Sequence, residues 1–328
     1  MRVVITGGAG FVGKKLAMAL LARGTLIGSD GTVQTLSQIT LFDVVEPEGL
    51  ITDPRLDIRT GDIGDARQVR ELIGNDANGV FHLAAIVSGN AEQDFDLGYR
   101  VNLDGTRNVL EACRSLPSPA RLVFASSVAV YGGDMPDVLQ DDTILTPQTS
   151  YGAQKAMGEL LVNDYSRKGF VDGRALRLPT IVVRPGRPNL AASTFASSII
   201  REPLAGEAAV CPVGRDAKMY ILSPRRVIEA LTHAFDLPAE AIGMTRMLTL
   251  PGITVSVDEM IEALREVAGD EVVARVQWQP DDRIQKIVAG WPTDFDAHRA
   301  QAMGFEADAG MADIIRAHIE DELAGKVR

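Results

Sequence analysis

The chain of 328 residues has two cysteines, Cys113 and Cys211, and four histidines, and both scarcities exclude a good deal. Two cysteines cannot build a disulfide framework. Each lies in an apolar or mixed stretch where a small buried thiol is the simpler reading, so a reducing compartment, the cytoplasm, is expected. Neither Cys nor His recurs at the spacing of a zinc site, and no metal enters the expected chemistry. No apolar run approaches the roughly 18 residues that cross a bilayer, and the first strand pattern begins at Arg2 with no room for a leader, so no membrane partner is expected. Basic residues are also short: 33 Lys and Arg stand against 44 Asp and Glu, a formal charge of −11. That charge repels phosphate backbones, and nucleic acid is not an expected partner. Prolines number only 16, while 46% of the chain is hydrophobic and 23% charged, proportions that exclude collagen-like, disordered and coiled-coil chains.

What is present is alternation. Short β-branched runs at residues 3–6, 39–43, 56–60, 79–83, 121–126 and 174–178 are separated by stretches at 11–22, 66–73, 94–115 and 151–168 whose apolar residues recur every three or four positions. Connections of this length predict an α/β fold built on a doubly wound parallel sheet. After about Pro179 the alternation breaks down, and Pro185, Pro188, Pro203, Pro212 and Pro224 divide shorter elements. Helices are expected there at 225–234, 256–268 and 311–323, with a strand at 246–250.

The first strand runs directly into Thr6-Gly7-Gly8-Ala9-Gly10-Phe11-Val12-Gly13, which opens the first helix. Gly7 permits a tight turn, Gly10 lets the backbone approach a pyrophosphate, and Gly13 allows close contact of helix and sheet. The N–H groups at the helix start, around Phe11 and Val12, then face the phosphates. A glycine-rich turn without a ligand is the bland alternative, and the strand–turn–helix setting weighs against it. Asp43 ends the second main strand, where a carboxylate can accept from both hydroxyls of an adenosine ribose. Its distance from Gly13 exceeds the usual spacing of about 20 residues, which implies an insertion over 24–38 with a surface turn at Gly28-Ser29-Asp30-Gly31. Residues 44–48 contain no Lys or Arg to receive a 2′-phosphate, so NAD is favoured over NADP. Ala84 and Ala85 follow the fourth main strand and leave space for a flat cofactor, and His82 inside that strand reads as a buried structural group. The expected division is a Rossmann-type dinucleotide-binding domain over 1–178 and a smaller, mainly substrate-binding region over 179–328, some of whose segments return to the first domain.

Tyr151 and Lys155 stand four apart on a helix, one turn along the same face. A free phenol titrates near pH 10, too high for a base at neutral pH, and a neighbouring ammonium favours the phenolate. Ser127, at the end of the fifth main strand, could hydrogen-bond to the oxygen of an alcohol or ketone while Tyr151 exchanges the proton and a nicotinamide takes the hydride.

Gly7-x-x-Gly10-x-x-Gly13, Asp62-Ile63, His82-Leu83-Ala84-Ala85, Val101-Asn102, Ser126-Ser127-x-x-Val130-Tyr131-Gly132 and Tyr151-x-x-x-Lys155 together resemble the extended short-chain dehydrogenase/reductase family, which includes NAD-dependent epimerases and dehydratases. The similarity covers nearly the whole chain. It implies that Ser127, Tyr151 and Lys155 form the catalytic triad, with Tyr151 and Lys155 also touching the cofactor. It further implies that Asp43, Asp62 and Ile63 contact the adenosine and that the chain is a homodimer paired through the helices at 94–115 and 151–168. Asn102 is counted with the cofactor-binding residues and is read as supporting the catalytic lysine, directly or through water, rather than touching substrate. Residues 86–92, 95–99 and 178–186 look most similar to members that oxidise the 2-hydroxyl of a four-carbon sugar acid, D-erythronate, with NAD. Such a substrate needs a cation for its carboxylate and polar groups for its hydroxyls, for which Arg184, Arg187, Ser88 and Asn189 are the candidates. A nucleotide-sugar 4-epimerase holding NAD tightly is the alternative; it would need a second pyrophosphate clamp, and the later region has no dense basic cluster beyond Arg184, Arg187 and Arg201. A non-catalytic NAD sensor would not need the tyrosine and lysine.

Overall fold

The computed structural model describes residues 1–186 and 191–327 and divides into two compact units. The first holds Met1–Val130, Pro147–Arg177 and Ile228–Thr249; the second holds Tyr131–Thr146, Leu178–Val227 and Leu250–Arg328.

Eight strands of the first unit come in chain order: β1 Arg2–Thr6, β2 Thr25–Ile27, β3 Val33–Thr35, β4 Gln38–Asp43, β5 Leu56–Thr60, β6 Gly79–His82, β7 Arg121–Ser127 and β8 Asp172–Leu178. Six of them, with the strand Met247–Thr249, form one seven-stranded sheet in the order 247–249, β8, β7, β6, β1, β4, β5. β1 pairs in parallel with β4 on one side and β6 on the other. All five residues of β1 are buried, as a strand covered on both faces requires, whereas the edge strand β5 ends in three exposed residues. The strand order reverses at β1, so the connections leaving β1 and β6 diverge and open a crevice at their carboxyl ends.

The helices are α1 Phe11–Arg23, α2 Ala66–Ile73, α3 Ser88–Gln93, α4 Phe95–Gly98, α5 Gly105–Arg114 and α6 Ser150–Arg167. Asp65 caps α2 by accepting from the N–H groups of Arg67 and Gln68, and Thr149 caps α6 by accepting from that of Gly152. Val4, Phe42, Val69, Val80, Leu110, Leu122, Phe124 and Val162 are among the side chains that fill the core between helices and sheet.

Two local expectations are corrected. The insertion over 24–38 is more than a surface turn: β2 and β3 pair antiparallel as a hairpin whose turn closes by the Gly28 N–H donating to the Thr32 carbonyl at 2.8 Å. The stretch 94–115 is not one α-helix, because Tyr99–Asp104 winds as a π-helix between α4 and α5. Such widened turns gather at functional sites, and a three- and four-residue apolar repeat cannot reveal them.

In the second unit the strands Thr180–Ile181, Lys218–Leu222 and Ile253–Ser256 make a three-stranded sheet, and Ala209–Cys211 pairs with Val276–Trp278. The helices Thr194–Leu204, Val257–Ala268 and Met311–Glu322 cover a separate core around Phe195, Ile199, Met219, Ile221, Met260 and Ile315. The expected strand over 246–250 is Met247–Thr249, which joins the first unit's sheet beside β8. Strands of two to five residues carry too few side chains for a period-two pattern.

Candidate active site

The glycine turn occupies the crevice at the end of β1. Gly7 has φ +73°, and a Cβ there would sit 2.8 Å from the backbone nitrogen of Ala84, so both conformation and contact require glycine. On Gly13 a Cβ would lie 2.3 Å from the Gly7 carbonyl oxygen, which presses the helix against the turn. Gly10 differs: a Cβ would meet only the Gly7 carbonyl, at 3.2 Å, so what its absence keeps open is the approach to the helix end. α1 has neither a side-chain cap nor an acidic residue in its first turn, leaving the N–H groups around Phe11 and Val12 and the positive helix end available. An uncapped helix end behind a bare turn fits a dinucleotide pyrophosphate.

At the end of β4 the Asp43 carboxylate is fixed by the Ala9 N–H at 3.0 Å and the Val44 N–H at 2.7 Å, one bond to each oxygen. Each oxygen retains a lone pair for a ribose hydroxyl. Asp43→Ala is expected to weaken NAD by about 10–100-fold in kcat/KM and to narrow its advantage over NADP, since a hydrogen bond to a charged group contributes about 1.5–3 kcal/mol. Steady-state kinetics with the two cofactors test this, and a parent enzyme that already used NADP equally well would refute it. Asp62 pairs with Arg100 and accepts from the Gly64 N–H at 2.8 Å. Partial burial pushes its pKa up, yet those two partners outweigh burial and hold the carboxyl below the usual range. Ile63, next along, is buried, and its carbonyl accepts from the Asn108 amide at 3.1 Å.

Ser127 closes β7, and its Oγ accepts from the Ala129 N–H at 3.1 Å, holding the tight turn that follows. The first turn of α6 presses on that same turn: a Cβ on Gly152 would lie 2.1 Å from the Ala129 carbonyl oxygen. Tyr151 therefore enters α6 beside the turn that Ser127 shapes. Lys155, one helical turn on, is 2% exposed; its Nζ donates to the Ala125 carbonyl at 2.7 Å and lies 4.7 Å above the Phe124 ring and 5.7 Å from the Tyr151 ring centre. Burial lowers the amine to about 7, against the opposing pull of Glu159. A buried ammonium so placed and an anion on the Tyr151 oxygen stabilise each other.

Behind the cradle runs a directed hydrogen-bond chain. Thr106 Oγ1 donates to the Asn102 carbonyl at 2.6 Å, so at 3.0 Å it accepts from His82 Nε2. His82 Nδ1 then accepts from Thr6 Oγ1 at 2.7 Å, and Thr6 Oγ1 accepts from the Ala84 N–H at 3.3 Å. This pattern assigns the ring proton to Nε2. Burial, reinforced by the Lys155 charge, lowers the imidazole to about 3, so the ring is neutral and structural. Asn102 lies within the π-helix. Its side chain accepts from the Ile86 N–H at 2.7 Å and donates to the Ile86 carbonyl at 3.1 Å and the Gln154 side chain at 2.7 Å. It thus reaches α6 at the residue before Lys155, with the amine itself bonded elsewhere.

Ser88 opens α3 and is half-buried; α3 is tied to α6 by Glu92, which accepts from the Ser150 N–H at 3.0 Å. Ala85 is half-buried beside Ala84. Arg184 lies in the second unit, where its guanidinium donates to Ser193 Oγ at 2.8 Å. Arg187 and Asn189 fall outside the described residues. Sequence reasoning missed Gly152, Gln154 and a buried trio beneath the site: Arg177 grips Glu159 through Nε and Nη2 at 3.0 and 2.8 Å, and Ser126 donates to Glu159 at 2.5 Å. Glu159 lay in view one turn beyond Lys155, but its partners come from β7 and β8. Among the described residues no group of three or more His, Cys, Asp or Glu could hold a metal ion, and no helix is long and apolar enough to cross a membrane.

Comparison with known proteins gives the family. A D-erythronate dehydrogenase of Cupriavidus necator is 56% identical over 321 residues, 98% of each chain, and one of Haemophilus influenzae is 44% identical over 323 residues, 98% of this chain and all of that one. A solved structure described as the nucleoside-diphosphate-sugar epimerase from Agrobacterium tumefaciens superposes with a TM-score of 0.94 at 44% identity, covering 100% of this chain and 96% of that one. The profile of the NAD dependent epimerase/dehydratase family matches residues 3–242. The chain belongs to that family and is an NAD-dependent dehydrogenase of the extended short-chain dehydrogenase/reductase type.

Proposed function

We infer that the protein oxidises the 2-hydroxyl of a small free sugar acid, D-erythronate in the first place, to the 2-keto acid. The observation that carries this reading is Tyr151 and Lys155 set on α6 against the turn after Ser127, in a chain 56% and 44% identical to D-erythronate dehydrogenases throughout its length. NAD, when bound, supplies the hydride acceptor. The turn at Gly7 and Gly10 with the N–H groups of Phe11 and Val12 holds the pyrophosphate, Asp43 the adenosine ribose, and Asp62 and Ile63 the adenine side. Ala84 and Ala85 leave room beside the cofactor, and Asn102 holds the loop that follows them. Ser127 positions the substrate oxygen, Tyr151 removes its proton, and the Lys155 ammonium favours the resulting phenolate and reaches the nicotinamide ribose. Ser88 and, from the mainly substrate-binding second unit, Arg184, Arg187 and Asn189 are assigned to the carboxylate and hydroxyls.

Incubation with D-erythronate and NAD is expected to accumulate NADH in step with the 2-keto acid, because a dehydrogenase must release its reduced cofactor each turnover. A nucleotide-sugar epimerase recycles the cofactor within one turnover. Silence with every free acid, together with inversion of a nucleotide sugar, would overturn the assignment. A cytoplasmic homodimer completes the reading. Both cysteines are buried and unbridged, and Leu160, 62% exposed midway along α6, is an apolar side chain that pairing through α5 and α6 would cover.

A further inference from the structure

We propose that the end of the first unit's sheet opposite the cradle carries a binding site for a small oxyanion, a carboxylate or phosphate group, anchored by Arg121. A cavity of about 170 Å³ lies where β6 and β7 begin, its walls including Gln34, Asn78, Ser118, Phe235 and Arg121. That is several times the roughly 30 Å³ a water occupies. Arg121 is only 3% exposed. Its Nε donates to Asp172 at 3.0 Å and its Nη1 to the carbonyls of Ile27 and Phe235 at 2.9 and 2.6 Å, while Nη2 has no partner among the described residues.

Charge separates this site from a merely hydrated pocket. Asp172 is shared by three guanidinium groups, Arg121 at 3.0 Å, Arg174 at 3.1 Å and Arg246 at 3.4 Å, and Arg174 is fully buried. Arg174 stands outside the cavity wall, its Nε and Nη1 sealed from solvent and without a hydrogen-bond partner among the described residues. Burial lowers Arg174 to about 10, with Asp172 opposing and Arg121 and Arg246 adding to the fall, so it remains charged at neutral pH. Water can satisfy the free Arg121 N–H but offsets no charge, whereas an oxyanion accepts that hydrogen bond and offsets the positive charge that Asp172, shared three ways, leaves on Arg121. The cavity wall also holds one carboxylate, Asp76, which is paired with Arg2 at 3.0 Å. Asn78 uses its side-chain oxygen to accept from the Arg2 N–H at 2.8 Å, which leaves its NH₂ to donate.

The test is thermal unfolding of the enzyme saturated with NAD, so that the cradle is filled, in inorganic phosphate or acetate against chloride of equal ionic strength. The parent is expected to gain about 2–4 °C in Tm, saturably, with at least one probe, and the probe that acts identifies the group bound. Asn78→Asp places a resident carboxylate at the site and keeps the acceptor for Arg2. It should unfold above the parent in chloride, gain nothing from the probe, and turn over normally. Arg121→Lys should lose the response if it folds. No saturable shift in the parent, or an equal shift in Asn78→Asp, overturns the proposal.

Discussion

Tyr151→Phe is expected to lower kcat by about 10²–10⁴-fold while NAD affinity stays within a few-fold of the parent. The substitution removes one oxygen and nothing else: the ring keeps its half-buried place on α6, Gly152 still seats the helix on the Ala129 carbonyl, and Lys155 still donates to Ala125. What is lost is proton transfer by a positioned acid–base group, whose usual contribution sets the magnitude. The cradle at Gly7 and Gly13 and the Asp43 carboxylate lie on other elements, so most of the cofactor's expected contacts are kept when the one Tyr151 oxygen is lost. NADH formation and cofactor titration by fluorescence measure the two quantities separately. Turnover within a few-fold of the parent would remove Tyr151 from the chemistry; a large fall in NAD affinity would make its role one of binding.

Glu159→Gln is expected to give the largest loss of stability, about 3–5 kcal/mol, because it leaves the Arg177 guanidinium buried without a counter-charge. Arg177 is 1% exposed and Glu159 fully buried, so water cannot replace the carboxylate. Ser126, which donates to the same carboxylate, would have to find a new acceptor beside Ser127. The loss should appear as a lower urea midpoint and a Tm down by about 6–20 °C. Replacing both partners by Met should recover most of the stability, since apolar groups of similar volume need no pairing, and the double-mutant cycle isolates the coupling. A single-variant loss below about 1 kcal/mol would show that solvent reaches the pair. Glu159 also opposes the effect of burial on Lys155, so in the variant the amine loses its proton at lower pH and activity that needs the ammonium should fall at lower pH than in the parent.

The parts legible in the sequence are those whose physics is local. Strand and helix repeats declare themselves within a few residues, which is why the alternation through residue 178 already implied a parallel sheet. The turn at Gly7 needs a positive φ and a missing Cβ, both properties of one residue, and Tyr151 and Lys155 share a helix face by spacing alone. Asp43 could be singled out because it ends a strand, although the hairpin of β2 and β3 had displaced it from the usual spacing.

The remainder depends on which segments meet. The reversal of strand order at β1 follows from how successive crossovers pack, and it alone puts the crevice beside the glycine turn. Glu159 meets Ser126 and Arg177 across 33 and 18 positions of chain, and no window of sequence contains that trio. The π-helix at Tyr99–Asp104 carries Asn102, whose side chain is held by the backbone of Ile86 in the loop after β6 and by the Gln154 side chain on α6. The sequence by itself determined the main strands of the first unit's sheet, the glycine turn and the shared helix face of Tyr151 and Lys155, since each rests on backbone propensity or helical spacing. The tertiary structure decided what surrounds them, because burial, counter-charge and hydrogen-bond partners come from residues distant in the chain.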